Sequence, residues 1–436
     1  MVFLGDSLCM SVVLPFTPFL VQHALAFDAD HQHLVGYYAG LIAGAYIAGQ
    51  LTTAPLWGAL SDRIGRRPVM LVCLALVVAC LLWFGASTTL EGALLARFCH
   101  GLCSGNVVVA KSMMADLTDE TNEAKAFVYI GVVFGAGAMI GPLVGGALAE
   151  PAAKYPSLPF SALWAARPYL LPCAVVAVLT LGVLVAAVFL LEESKKPAAP
   201  DAPRADAAAD SGVRSLLRDG KSPFRGVCLS FFLFGFCFLA FQEVFPVFAR
   251  APRAEGGVEL TSTAVGVLQS AAGAATLVGV VSIYPPLSAA LGVPGAYAAA
   301  LGACAGAAYP AAPILARLSP DRTPWAGLVV ANAVVSLATE VSFTSLNLML
   351  KRSAPPELVG AAIGLGSSLG MIGFALGPMV GGALYAMSSN PATALPAVLA
   401  KGGLFYATIA ALAAMNVVVV ASLPPWPARG GQWRHA

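Results

Sequence analysis

The sequence predicts an all-α membrane protein whose twelve transmembrane helices form two pseudosymmetric six-helix bundles. Of its 436 residues, 58% are hydrophobic and only 11% are charged, whereas a soluble domain carries about 25% charged residues. The apolar residues form long runs, and about 20 apolar residues are enough to cross a bilayer. Twelve such spans are predicted, at residues 2–22, 34–57, 69–87, 92–114, 125–149, 168–191, 226–249, 262–284, 293–316, 324–349, 358–386 and 401–422.

The stretch between spans 6 and 7 interrupts this pattern. Residues 192–225 are rich in Ala, Pro, Asp, Lys and Arg, which is the composition of a solvated linker. The predicted organisation is an N-terminal bundle at 1–191, a cytosolic linker at 192–225, a C-terminal bundle at 226–422 and a cytosolic tail at 423–436. The bundles repeat each other, since span 5 contains GPLVGGAL from Gly141 and span 11 contains GPMVGGAL from Gly377. Such duplication is typical of transporters.

The distribution of basic residues predicts the orientation in the membrane. If both termini are cytosolic, 15 of the 24 lysines and arginines lie in the inner loops and tail, 7 lie in the outer loops, and two lie within span 4. Cytosolic loops carry an excess of Lys and Arg, so both termini are predicted to be cytosolic. The start of the chain lacks the basic region and the cleavage site of a signal peptide.

Composition and motifs exclude several classes of protein. The net charge is +2 without a basic block, so no nucleic-acid partner is predicted. No nucleotide-binding loop, nucleophile set or cofactor motif is present, so neither an enzyme nor a cofactor is predicted. Cys99, His100 and Cys103 lie close together in sequence, but two thiols on one helix face do not complete a metal shell. No metal site is predicted.

One charged stretch, Trp57–Pro68, lies between spans 2 and 3 and is called the signature turn below. A tight turn needs glycine for close backbone approach, and its acid can pair with arginine or with a helix N-terminus. The pattern Gly-x-x-x-Asp-Arg-x-Gly-Arg-Arg resembles the loop between helices 2 and 3 of the major facilitator superfamily. This resemblance implies the major facilitator fold and a gate that locks the outward-open state by docking against span 11. The gating candidates are Gly58, Asp62, Arg63, Gly65, Arg66 and Arg67.

Spans 5 and 11 carry glycines around a proline. Glycines four residues apart share a helix face and let helices of the two halves approach and slide, while proline bends a helix. The alternative is generic close packing. The Gly-Pro-x-x-Gly-Gly form of span 5 resembles the antiporter motif of proton-coupled drug transporters. The residues concerned are Gly141, Pro142, Gly145, Gly146, Gly377, Pro378, Gly381 and Gly382.

Ionisable residues inside spans are costly in lipid and therefore mark candidate sites. Asp6, Glu243 and Glu340 are the proton-coupling carboxyls. The alternatives are that Asp6 caps the cytosolic end of span 1 and that Glu243 snorkels to the interface. Arg97 opens a segment that resembles the arginine-glycine motif in helix 4 of proton-driven members. A cation beside a carboxyl stabilises its charged form, so moving Arg97 away would trigger protonation.

Four further polar residues within the spans are candidates to line a substrate cavity. Lys111 is expected to bind an anionic group or to pair with Asp116. The four candidates are Asn106, Lys111, Gln242 and Asn347.

A narrower resemblance covers residues 141–173. The loop Pro-Ala-Ala-Lys-Tyr-Pro at 151–156 and the segment Pro-Tyr-Leu-Leu-Pro-Cys at 168–173 resemble the zinc-induced facilitator-like transporters. This resemblance implies proton-coupled antiport at a vacuolar or plasma membrane, with metal chelators carrying zinc, potassium or organic anions such as auxin as cargo types. The sequence departs from that family in carrying Asp6 where glutamate is expected.

These observations predict a secondary active transporter that exchanges a small solute for protons by alternating access. The solute classes left open are a metal chelate, a cation, an organic anion and a drug-like molecule. The competing interpretations are an uncoupled facilitator and a receptor or sensor built on the same fold. The expected partners are the solute, protons and the lipid bilayer, and the protein is expected to act as a monomer.

Overall fold

A computed structural model of the chain describes residues 1–24, 33–117, 123–194, 222–319, 323–355 and 358–424. This part of the chain is helical and contains no strand. Its α-helices are α1 (Val2–Ser11), α2 (Thr17–Ala24), α3 (Val35–Ile64), α4 (Arg66–Ala86), α5 (Leu90–Cys103), α6 (Asn106–Leu117), α7 (Glu123–Leu148), α8 (Pro151–Lys154), α9 (Ser161–Ala166), α10 (Leu170–Leu190), α11 (Phe224–Arg250), α12 (Ser262–Ser282), α13 (Tyr284–Ala303), α14 (Tyr309–Leu318), α15 (Trp325–Arg352), α16 (Val359–Ser389) and α17 (Gly403–Ala421).

The helices follow the order of the predicted spans. Spans 1, 4 and 9 are each built from two helices, namely α1 with α2, α5 with α6, and α13 with α14, the last pair joined by a π-helical segment at Cys304–Ala308. Every other span is a single helix. Within the described ranges, eight helical stretches are long and apolar enough to cross a membrane by themselves. Most of the linker, residues 195–221, and the tail from residue 425 lie outside the described residues.

Spans 1, 2 and 4 differ from their predicted helices in ways that bear on the site. Span 1 was predicted as one helix but is interrupted between Ser11 and Thr17, around a proline that cannot donate a backbone hydrogen bond. Span 4 was predicted as one helix but is interrupted between Cys103 and Asn106. Span 2 continues seven residues beyond its predicted end, to Ile64. The apolar window defined the predicted end, but the helix extends into the polar residues that follow.

The extension of span 2 also corrects the signature turn. Gly58, Asp62 and Arg63 are helical, and the change of direction falls on Gly65 alone, with φ 105° and ψ 158°. The corresponding segment after span 8, residues 285–292, carries no charge. It is helical from Tyr284 and turns at Gly292, with φ 71° and ψ 170°. Both halves therefore keep a glycine turn at the same place, and only the first surrounds it with charge.

The sequence repeat corresponds to a repeat of contacts. A Cβ on Gly141 or Gly145 would collide with span 1, and one on Gly377 or Gly381 would approach span 7 in the same way. These four glycines therefore pack within their own halves, rather than between halves as predicted. The remaining pair joins the halves, since Gly146 faces span 8 and Gly382 faces span 2.

The two halves meet most closely at one end of the molecule. The end that holds Met1, Gly65 and Glu193 is called the linker side below, and the opposite end the far side. A Cβ on Gly146 would lie 3.0 Å from the Cα of Gly266 in span 8, and a Cβ on Gly40 would lie 2.1 Å from the carbonyl oxygen of Pro378 in span 11. Such backbone-to-backbone approach leaves no room for side chains, so the structure is closed on the far side.

Candidate functional site

Asp6 and Asn106 form a polar pair between spans 1 and 4. The Asp6 carboxyl is 3% exposed and accepts a hydrogen bond of 3.3 Å from Asn106 Nδ2. The Cβ position of the neighbouring Gly5 lies 3.3 Å from Leu74, which is eight residues along span 3 from Arg66. At 1.5 Å per residue this is a depth of about 12 Å. Asp6 is therefore an interior group, and the alternative of a cap at the end of span 1 does not fit.

The interruption of span 4 places Asn106 at the start of a second helix. Asn106 is the first residue of α6, and a helix N-terminus carries a partial positive charge. The Asp6 carboxyl thus faces an amide donor at the positive end of a half-helix. Half-helix termini at mid-membrane commonly form transport sites. The prediction of Asn106 as a cavity residue did not foresee this arrangement, because the break in span 4 was not predicted.

Span 2 stabilises this break. The Leu102 carbonyl accepts hydrogen bonds from Thr53 Oγ1 at 2.8 Å and from Trp57 Nε1 at 2.7 Å. The Tyr46 hydroxyl lies 3.1 Å from Ser104 Oγ. A carbonyl without a helical partner is costly in an apolar interior, so these side chains make the interrupted helix stable.

Arg97 lies in a cage of neutral groups. It is 3% exposed, its guanidinium carbon is 4.6 Å from the centre of the Tyr46 ring and 5.7 Å from that of Phe84, and its Nη1 is 3.2 Å from His100 Nδ1. The sequence predicted a cation beside a carboxyl, but among the described residues no carboxylate oxygen lies within 4 Å of Arg97. Cation–π contacts and an imidazole take the place of the expected ion pair.

Glu243 is a buried carboxyl of span 7, in the second half. It is 8% exposed and lies seven residues from the far end of span 7, and Arg97 lies seven residues from the far end of span 4. Both groups are therefore about 10 Å deep, and they belong to different halves. At this depth Glu243 is interior, so the alternative of a snorkelling interface residue does not fit.

The remaining cavity candidates lie towards the linker side. Lys111 is exposed, and its Nζ is 5.8 Å from the centre of the Phe343 ring on the other half, so it faces the cleft between the halves. The expected pairing of Lys111 with Asp116 is wrong, because Asp116 pairs with Arg66 at 3.1 Å. Asn347 donates a hydrogen bond of 2.8 Å to the Phe343 carbonyl.

Glu340 and Gln242 are half-buried. Glu340 precedes Phe343 by one turn of span 10. Within the described part of the chain, no ion pair or hydrogen bond joins Glu340 to another side chain. Gln242 is the neighbour of Glu243 in sequence and therefore points to a different face of span 7.

The signature turn is held by its own half in this structure. Arg66 contacts Asp62 at 2.6 Å and Ser61 Oγ at 2.6 Å in addition to Asp116. The predicted docking of the turn against span 11 stays a prediction.

Glu193, which the sequence placed in a solvated linker, holds the turn from the end of span 6. Its two carboxylate oxygens accept hydrogen bonds from the backbone N–H groups of Arg66 at 2.8 Å and Arg67 at 3.0 Å. The carboxylate therefore caps the first turn of span 3, where negative charge is stabilising. An acid directly after an apolar span could have indicated this cap, but the sequence gives no hint of its distant partner.

Outside these sites, the described residues contain no group of three or more His, Cys, Asp or Glu side chains arranged to hold a metal ion.

The comparisons with known proteins agree with this geometry. The family model of the Major Facilitator Superfamily matches residues 1–325. The chain is 27% identical to a probable peptide/nitrate transporter of Arabidopsis thaliana, covering 91% of this chain and 84% of that protein. It is also 27% identical to Zinc Induced Facilitator-Like 1 of the same plant, covering 89% and 83%. The crystal structure of the human organic anion transporter MFSD10 (TETRAN) superposes with a TM-score of 0.63 at 22% identity, covering 96% and 97%.

The fold and the polar groups buried between two helical halves define an integral membrane transporter of small solutes, not an enzyme. The chain belongs to the Major Facilitator Superfamily. The predicted fold of twelve helices in two halves is confirmed, and the resemblance to zinc-induced facilitator-like transporters and to multidrug transporters is confirmed by the similar proteins.

Proposed function

We propose that this transporter exchanges a small solute for protons by alternating access. The observation that carries the proposal is that Arg97 of one half and Glu243 of the other are both buried, at the same depth. Their separation must change when the halves rock about the central site, because they lie on opposite sides of the moving boundary.

Alternation would then control the proton on Glu243. With the far side closed, the charge of Arg97 would favour the ionised form of Glu243. Opening of the far side carries span 7 away from span 4. A buried carboxylate without a nearby cation is costly in an apolar interior, so Glu243 would take up a proton from the far side. Closing the far side would restore the cation and release the proton towards the other side.

A series of polar groups supports a path for that proton. His100 and Tyr46 contact Arg97, Tyr46 reaches Ser104, and Asn106 two residues later reaches Asp6. The series runs from the far third of span 4 to the linker third of span 1. Asp6 is therefore the proposed second proton site, and Arg97 the residue that couples the proton to the movement.

The solute is proposed to bind in the cleft beside Lys111. The ammonium group there is exposed, contacts Phe343 across the cleft and has no carboxylate partner among the described residues. This favours an organic anion over a metal chelate, a cation or a hydrophobic amine. One structural neighbour is titled an organic anion transporter, which agrees with this preference.

The orientation of the protein and its membrane can also be proposed. The excess of lysine and arginine on the linker side supports cytosolic termini. The resemblance to zinc-induced facilitator-like transporters implies a vacuolar or plasma membrane. The signature turn would lock the opposite, far-side-open state by docking against span 11. Protonation of Asp6, Glu243 or Glu340 would release it.

Proteoliposomes with an internal pH dye test the proposal. A panel of organic anions, zinc, zinc chelates, potassium and hydrophobic amines is added outside. We expect one class to produce a pH change that is lost in Glu243→Gln, whereas exchange of labelled solute for unlabelled solute persists in that variant. Glu91→Gln, which changes an exposed carboxyl of span 4, serves as the matched control and should behave as wild type.

Three results would contradict the proposal. A pH change that persists in Glu243→Gln would remove the proton from that carboxyl. Solute movement that is indifferent to a pH gradient would establish an uncoupled facilitator. Absence of any movement by folded protein across the panel would favour the receptor or sensor.

A further inference from the structure

The segment Pro151–Pro156, which follows span 5, contacts the other half of the molecule. Lys154 Nζ donates hydrogen bonds to the Gly146 carbonyl at 2.7 Å and to Ser262 Oγ at 2.8 Å. Gly146 lies in the last turn of span 5 in the first half, and Ser262 is the first residue of span 8 in the second half. Among the side-chain hydrogen bonds that the described structure gives this segment, that of Lys154 to Ser262 is the one that joins the two halves.

The Gly146 carbonyl is available because the helix ends there. In a continuing helix it would accept from the N–H of Glu150, but that N–H donates to the Pro168 carbonyl at 2.9 Å instead, and Glu150 adopts a positive φ of 57°. A carbonyl at a helix C-terminus carries partial negative charge. Lys154 and the hydroxyl of Thr263, at 3.1 Å, satisfy it.

The helix ends that meet here attract each other. The C-terminus of span 5 faces the N-terminus of span 8, so the negative end of one helix dipole meets the positive end of the other. Gly146 and Gly266 let the two backbones approach. Burial lowers the pKa of the Lys154 ammonium, and the neighbouring Glu150 acts in the opposite direction, so the acceptors on both halves compensate for a partly desolvated cation.

Tyr155 caps the same helix end as Lys154 but makes no hydrogen bond to the described residues of the other half. Its hydroxyl donates to the Ala147 carbonyl at 3.2 Å, the next free carbonyl at the same helix end. Tyr155 thus caps span 5 as Lys154 does, but this hydrogen bond stays within the first half. The two side chains share the capping role, and Lys154 alone adds a link to Ser262.

We propose that Lys154 is a latch: while it is anchored on Gly146 of its own half, its hydrogen bond to Ser262 of the other half holds the far side closed, and this hydrogen bond must break each time the far side opens. Lys154 is a positioning residue, because it lies away from the buried proton site and acts on the conformational equilibrium. The latch does not depend on which solute or ion the protein carries.

The test measures the far-side opening directly. Spin labels attached through a non-natural amino acid replace Leu163 and Val398, which are exposed far-side residues of the first and second halves. Pulsed electron paramagnetic resonance gives the ratio of long to short distances in lipid nanodiscs. We expect Lys154→Met to raise the open-to-closed ratio more than about tenfold, as loss of one charge-assisted hydrogen bond implies.

Two further variants show which hydrogen bond changes the open-to-closed ratio. Tyr155→Phe should leave the ratio unchanged. Ser262→Ala should raise it at least as much as Lys154→Met, because it removes the acceptor of Lys154 and also the hydroxyl that donates to the Gly146 carbonyl at 3.4 Å. The double variant of Lys154 and Ser262 should open no more than Ser262→Ala alone, because the hydrogen bond between the two side chains is already lost. An unchanged ratio in Lys154→Met overturns the proposal, and so does an equal shift in Tyr155→Phe, which would show that only capping matters. Distance distributions that retain the wild-type closed peak confirm that each variant is folded.

Discussion

The turn at Gly65 makes the strongest stability prediction. Its backbone, with φ 105° and ψ 158°, lies in a region that is essentially restricted to glycine and costs other residues about 1–3 kcal/mol. A Cβ at this position would also lie 2.4 Å from a carboxylate oxygen of Glu193. Gly65→Ala therefore strains the backbone and displaces the cap of span 3 at once.

The magnitude follows from three contributions. We take about 2 kcal/mol for the backbone conformation and about 1 kcal/mol for the cap, at the level of an exposed helix cap. Alanine lowers the entropy of the unfolded chain, which offsets about 0.7 kcal/mol. The net loss in the free energy of unfolding is about 2 kcal/mol.

Thermal unfolding of the purified protein in detergent measures this loss, and Gly182→Ala is the matched control. Gly182 is an exposed residue within span 6, where an added Cβ meets no atom within 4 Å. That substitution should raise the stability by up to about 1 kcal/mol, because alanine is the better helix former. Glu193→Gln should cost less than Gly65→Ala, since the amide keeps one acceptor and the backbone stays unstrained.

Gly65→Ala should lower the free energy of unfolding, whereas Gly182→Ala should raise it. If Gly65→Ala melted at or above the wild-type temperature, as Gly182→Ala should, the turn would not have the conformation described. If Gly65→Ala and Glu193→Gln were equally destabilising, the cap and not the backbone would account for the loss.

Two further predictions concern the closed far side and the break in span 4. Gly40→Ala places a Cβ 2.1 Å from the Pro378 carbonyl oxygen, so solute exchange in proteoliposomes should be lost. Gly302→Ala is the control and should exchange normally, because its Cβ meets nothing within 4 Å. Normal exchange in Gly40→Ala would mean that spans 2 and 11 need not meet there. Trp57→Phe removes the donor 2.7 Å from the Leu102 carbonyl and should lower the unfolding free energy by about 1 kcal/mol, and an unchanged melting temperature would show that this carbonyl does not need the indole.

Most of the fold could be predicted from local sequence. A span is recognised by the apolar character of about 20 consecutive residues, and this depends on no other part of the chain. The signature turn could be placed because its charges interrupt two such spans. The glycine repeat of spans 5 and 11 could be seen as a repeat, because it is written in identical letters.

The interruption of span 4 was out of reach, because it depends on span 2. Ser104 and Gly105 weaken a helix only slightly by themselves, and the break persists because Thr53 and Trp57 bind the Leu102 carbonyl. The partners of Arg97 were predicted wrongly for a related reason. An arginine in a span indicates a buried partner of opposite charge, but aromatic rings and an imidazole can also surround a cation.

The sequence by itself determined which segments enter the membrane and which ionisable groups are costly enough to mark a site, since each of these depends on the transfer of local segments from water to lipid. The tertiary structure decided which groups meet. Asp6 with Asn106, Glu193 with the start of span 3, and Lys154 with Ser262 are each separated by about 100 residues or more. Such contacts depend on the packing of several helices at once, and no local pattern of residues encodes them.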